Sequence, residues 1–175
     1  MNLGPDDTAR STPFASTAHD AARVLADLAI ERATRRDADA ARQAIEDAEL
    51  VLEGVEDVKA AARIRISIGE AFLELRETLA AQERFEHALE TLGEDGPVDA
   101  RARALLGVAR ALAGRREGAA RAAFEEAGLL YEDLGDEERV IAIDRELRTL
   151  EAAIEESPRS FSSSHRISVV PARSS

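Results

Sequence analysis

The sequence contains no cysteine and no tryptophan, one methionine and one tyrosine, and aromatic residues make up only 3% of its 175 positions. Without cysteine there is neither a disulfide nor a thiolate to serve as nucleophile or metal ligand. With so few large rings, a core must be assembled from Ala, Leu, Ile and Val. Such a core is thin and brings backbones close together, which favours stacked helices over a sandwich or barrel. No apolar run approaches the roughly 18 residues that a membrane span requires. The opening residues MNLGPDDTARSTPF lack the charged and apolar regions of a secretory signal. The expectation is a cytoplasmic chain that neither crosses nor binds a membrane. Lys59 is the only lysine beside many arginines, a bias expected of a GC-rich bacterial genome.

What the chain has in abundance is negative charge. The formal net charge is −12, yet residues 157–175 contain Arg159, Arg166 and Arg173 and no acid, so the remainder carries −15. Such a field repels phosphate backbones, which argues against nucleic acid as a partner. At 45% hydrophobic residues the chain is long enough for one domain with a real core.

A repeat organises the middle of the sequence. Ala22-Arg23, Ala62-Arg63 and Ala102-Arg103 recur at intervals of 40, as do Leu28-Ala29, Ile68-Gly69 and Val108-Ala109. Downstream in each unit come Ala41, Ile45 and Ala48, then Ala81, Phe85 and Ala88, then Ala120, Phe124 and Ala127, the last set one residue early. Each unit holds two helical patterns. In the second unit Ile64, Ile68, Ala71, Phe72 and Leu75 share one helix face, and Ala81, Phe85, Ala88, Leu89 and Leu92 share another. Small residues at Ala29, Gly69 and Ala109 admit a neighbouring helix, with Phe85 or Phe124 filling the space beside it. Breakers fall at TRRDADA near 34–40, at Gly54, at Arg76-Glu77-Thr78 and in GEDGPVD at 93–99. Gly96-Pro97 predicts a stop and restart with Pro at the first helical position, Gly114 and Gly135 close further helices, and Asp136 is placed to cap the last.

The pattern small-x3-aromatic-x2-small, read in AQERFEHA and ARAAFEEA, together with the apolar-small pair of each first helix, resembles the tetratricopeptide repeat (TPR) over about residues 18–135. The period of 40 exceeds the roughly 34 of that repeat. It is similar to the extended repeats of large bacterial regulators. The usual Trp and Tyr positions hold Leu25, Arg65 and Leu105, and Arg32, Phe72 and Leu112. The resemblance implies an all-α, right-handed α-solenoid of three TPR-like helix hairpins. A seventh helix over roughly 137–156, with Val140, Ile143, Leu147, Leu150 and Ile154 on one face, serves as its polar-backed cap. The same 3-4 spacing also suits a self-association seam, and hence a homodimer through this C-terminal helix. The domain reading is a flexible segment at 1–16, the repeat domain at 17–156 and a basic, Ser-rich, disordered tail at 157–175. Within that tail Ser160 and Ser168 follow arginines closely enough to be kinase targets.

Catalytic and metal chemistry find little footing. His19, His87 and His165 are the only histidines. Glu83 and His87 are four apart, but Arg84 stands where a dimetal helix needs its Glu, and the repeat register turns both residues to solvent. There is no Gly-rich phosphate loop and no Ser–His constellation. The reading is a non-enzymatic protein without cofactor or metal.

The resemblance instead directs attention to the groove that first helices line. Its second, fifth, ninth and twelfth positions give Arg23, Ala26, Ile30 and Ala33; Arg63, Ile66, Glu70 and Leu73; and Arg103, Leu106, Arg110 and Ala113. Ala26, Ile30, Ile66, Leu73 and Leu106 then form the floor for a peptide or protein partner. Arg23, Arg63 and Arg103 form a ladder that grips its acidic groups through forked hydrogen bonds. The competing use of those arginines is local pairing, Arg23 with Asp27 and Arg103 with Asp99. The Lys and Asn of the family's carboxylate clamp are absent. A scaffold or adaptor is the expected function. The alternative is a regulatory module of a bacterial kinase or transcription-regulator system, acting through its tail or the seam.

Overall fold

The computed structural model describes residues 13–156, all of whose regular structure is helical. Seven helices follow in order: α1 (Pro13–Thr34), α2 (Ala38–Leu52), α3 (Val58–Glu74), α4 (Thr78–Leu92), α5 (Val98–Leu112), α6 (Glu117–Asp133) and α7 (Glu137–Glu156). Helix α1 begins at Pro13. Proline is well suited to a first helical turn, because its missing N–H would have no intrahelical acceptor there. The tail at 157–175, with Ser160 and Ser168, lies outside the described residues. None of the helices among the described residues is long and apolar enough to cross a membrane.

Local chemistry sets the helix ends. Asp57 accepts from the N–H groups of Lys59 (2.9 Å) and Ala60 (3.1 Å), and Asp136 accepts from Arg139 (3.1 Å), capping α3 and α7. Pro97 sits just before α5 instead of inside it. Three helices close with the same paired bonds. Asp37 N–H donates to the Arg32 carbonyl (3.0 Å) and Arg36 N–H to Ala33 (2.9 Å). Glu77 with Phe72 and Arg76 with Leu73 repeat the arrangement after α3, and Asp136 with Tyr131 and Gly135 with Glu132 repeat it after α6. This closure places one residue in the left-handed region. Gly135 takes that place at φ +70°, but Arg36 and Arg76 occupy it at φ 64° and 62°.

Helices α1 and α2, α3 and α4, and α5 and α6 pack pairwise, while α1, α3 and α5 also touch one another in sequence as a layer. Helix α4 packs on α5, and α7 on α6. The arrangement is consistent with a helical repeat. Its core divides at α3. Ala61, Ile64, Ile68 and Ala71 join the α1–α2 side, whereas Ala62 and Ile66 join a larger cluster that continues to α7. The aromatic ring of Phe85 on α4 is fully buried in that larger cluster. It lies between Gly69 on α3 and Gly107 on α5, where added Cβ atoms would fall 3.1 Å and 2.6 Å from Phe85 Cδ1 and nearer still to Cε1 and Cζ. On α7, Ile143 and Leu150 are buried, with Val140, Leu147 and Ile154 packed at the margin of the same cluster. The apolar stripe of α7 is thus turned onto the rest of the fold.

Candidate functional site

The α1–α3–α5 layer differs in charge from the α2–α4–α6 layer. Helices α2, α4 and α6 carry twelve acids against three arginines, while α1, α3 and α5 carry six acids against eight basic residues. The excess negative charge therefore sits on the second layer, on α7 and in the connections at 53–57 and 93–97. The first layer and the turns within each pair are the least acidic part of the molecule.

Along the ends of the first-layer helices runs a hollow of ≈ 510 Å³ lined by Ile30 of α1, Glu70, Leu73 and Glu74 of α3, Arg76 and Thr78 at the next turn, and Arg110 of α5. A second hollow of ≈ 500 Å³ shares Glu74 and Arg76 and continues to Ala33, Thr34, Arg36 and Ala38. A third, ≈ 440 Å³, shares Arg110 and extends to Ala113, Arg145 and Glu146. Shared walls make these one interrupted groove.

Of the groove positions anticipated from the sequence, Ile30, Glu70, Leu73 and Arg110 come together in the first hollow. Ala26, Ile66 and Leu106 do not. They are 0%, 0% and 2% exposed, because α1, α3 and α5 pack directly against one another and close over them. The apolar floor thus reduces to the half-buried Ile30 and Leu73. Ala33 and Ala113 line the flanking hollows.

The arginine ladder is replaced by cross-helix ion pairs. Arg23 approaches Asp20 at 3.9 Å on its own helix and not Asp27. Arg63 of α3 holds Asp99 of α5 at 2.9 Å. Arg103 of α5 binds both oxygens of Glu70 on α3 and donates to the buried Ser67 hydroxyl at 3.2 Å. Arg110 of α5 is forked onto Glu146 of α7, with Nε 2.9 Å from Oε2. The hydrogen bonds that Arg103 and Arg110 donate to Glu70 and Glu146 raise their pKa values above the ordinary guanidinium value, against the opposing effect of burial. Two rungs of the ladder, Arg63 and Arg103, hold helices together, and Arg110 does the same for α5 and α7. Helical spacing identifies neighbours on one helix only, so partners 33 to 36 residues away leave no such signal.

Glu83 and His87 are exposed on α4. His87 borders a hollow of ≈ 210 Å³ together with Glu49, Glu53, Arg65 and Arg84, and burial followed by repulsion from Arg84 lowers the Arg65 pKa. Among the described residues no three His, Asp or Glu side chains are grouped to hold a metal ion.

Sequence reasoning passed over Arg36 and Arg76 as parts of polar turns. Neither guanidinium has a hydrogen-bond or ion-pair partner among the described residues. The signal that was present is their spacing of 40, the repeat period itself. No family model, curated protein or solved structure matches the chain.

Proposed function

We propose that the protein is a non-enzymatic scaffold or adaptor that binds a peptide or protein segment along the edge of its α1–α3–α5 layer. In this reading the helices form a right-handed α-solenoid of TPR-like hairpins closed by α7. The carrying observation is the ≈ 510 Å³ hollow with Ile30 and Leu73 at its floor and charged side chains at its rim. A few apolar side chains of a partner would fill it, and polar rim groups would fix their orientation.

The ion pairs support the same reading in a way the ladder did not. Glu70 is forked by Arg103 and Arg110 by Glu146, so two walls of the hollow are immobilised before a partner arrives. A wall already ordered loses little side-chain entropy on binding. The floor, rather than Arg23, Arg63 and Arg103, then supplies the affinity.

The test is capture of a partner from native extract by the full chain, by a version ending at Glu156, and by Leu73→Glu. Capture that survives truncation and is abolished by Leu73→Glu supports the groove. Leu129 is 62% exposed on α6, so Leu129→Glu serves as the control that retains capture. Loss on truncation, with Leu73→Glu still active, would move the function into residues 157–175.

A further inference from the structure

Arg36 and Arg76 stand out by conformation and position, and neither guanidinium has a partner among the described residues. Both adopt positive φ at the helix-closing position where Gly135 serves the equivalent turn. A side chain there costs about 1 kcal/mol relative to glycine, and such strain persists where surrounding structure or function maintains it. Both line the groove, Arg36 its outer hollow and Arg76 both that hollow and the central one. The acids of their own turns are engaged elsewhere. Asp37 caps α2 and approaches Arg32 (3.5 Å), and Glu77 accepts from Arg42 on α2 at 2.7 and 2.9 Å. Arg116, Arg145 and Arg148 likewise have no ion-pair partner among the described residues, so what sets Arg36 and Arg76 apart is positive φ combined with a place on the groove.

Resting on the groove reading above, we infer that this turn edge is the docking strip for an acidic, amphipathic peptide segment, whose carboxylates are gripped by Arg36 and Arg76 while its apolar side chains enter the Ile30–Leu73 hollow. Guanidinium and carboxylate match in a forked geometry and give stronger hydrogen bonds than neutral partners do. The long-range repulsion from the acidic body does not decide the matter, because physiological salt screens exposed charges beyond about 8 Å while contact pairs lie within about 4 Å. Glu74, which lines the hollows of both arginines and has no partner among the described residues, is an opposing charge in the strip and disfavours a uniformly acidic ligand. Arg116 occupies the same repeat register, but its φ is −141° and it lines none of the three hollows.

The experiment is fluorescence anisotropy with a short labelled peptide alternating Glu and Leu, and its Gln-Leu counterpart, titrated with the full chain. The Glu peptide is expected to bind about tenfold more tightly than the Gln peptide, in keeping with charge-assisted recognition. Glu74→Gln should tighten binding, and Arg116→Ala should leave it unchanged. The Arg36→Gly/Arg76→Gly double variant should lose most of the preference for Glu while melting at a higher temperature than the parent. A purely structural role for the two side chains cannot produce that opposite pair of changes. Equal affinity for the two peptides, no binding of either, or a double variant that binds the Glu peptide as the parent does would overturn the inference. If both peptides bind equally and Leu73→Glu abolishes both, the groove stands and the arginine strip falls.

Discussion

Replacing Gly107 by Ala should destabilise the protein even though alanine is the better helix former by about 1 kcal/mol. The new methyl would lie 2.6 Å from Phe85 Cδ1 and nearer to two further ring carbons, against an optimum of about 3.5–4.0 Å for carbon contacts. The ring must retreat by about 1 Å. It cannot retreat freely, because it is 0% exposed and Gly69 of α3 crowds the same ring atoms. Overpacking of this kind costs about 1–3 kcal/mol and sometimes more. After the gain in helix propensity, a net loss of up to about 2 kcal/mol remains. For a chain of this size that lowers the melting temperature by up to about 8 °C. Circular dichroism melts and urea titrations on the full chain provide the measurement. Two companions sharpen it. In Gly128→Ala the methyl would sit 3.8 Å from Ile143 Cγ2, an ordinary contact, so the propensity gain should appear as a rise in stability. Adding Phe85→Leu to Gly107→Ala should recover part of the loss, making the two substitutions non-additive. A Gly107→Ala protein that melts at or above the parent temperature would refute the wedge between α3 and α5.

Arg36→Gly and Arg76→Gly should each stabilise the fold by about 0.5–1 kcal/mol, and Gly135→Ala should cost about as much, because only glycine takes positive φ without a side-chain penalty; equal melting temperatures would remove the strain argument. A double-mutant cycle on Arg103→Ala and Glu70→Ala should return a coupling of about 1 kcal/mol, as expected for a partly exposed, forked pair. Zero coupling would mean that the pair contributes nothing to the α3–α5 contact. Burial raises the Tyr131 pKa above its ordinary value of 10.0, outweighing the opposing effects of Arg139 and Arg103. The unfolded chain therefore loses this proton first. The contribution is complete below the unfolded pKa and is lost as pH rises through the folded one, so stability should fall above about pH 10, and less steeply in Tyr131→Phe.

The sequence expresses faces well and partners poorly. Ile143 and Leu150 could be assigned to the inner side of α7 because spacing alone brings them onto one stripe, and any packed neighbour would bury that stripe. Phe85 was marked as a filler beside Gly69 for the same reason. Gly107, the other half of its slot, lies on a helix that periodicity does not associate with α4. Ala26, Ile66 and Leu106 were misjudged as groove floor because a repeat register says which side of a helix faces the layer, but not how closely the layer's helices meet. Arg103 illustrates the remaining limit. Its acids at i±4 suggested Asp99, while three-dimensional packing supplied Glu70 to Arg103 and gave Asp99 to Arg63. Arg36 and Arg76 were hidden by chemistry of another kind, since positive φ is announced in sequence mainly by glycine and here arginine adopts it.

Helix α3 serves as a party wall between two rooms. One room is furnished by α1 and α2 and, among the described residues, encloses no fully buried aromatic ring; the other contains Phe85, Phe124 and Tyr131. Substitutions on opposite faces of this helix, such as Ile64 and Ile66, therefore affect different compartments. Evolution can refit the smaller room, or a laboratory can exchange it for another helix pair, while the larger one keeps its furniture. The corollary is that the wall itself is the most conservative piece of the building: a change that bends α3 disturbs tenants on both sides at once.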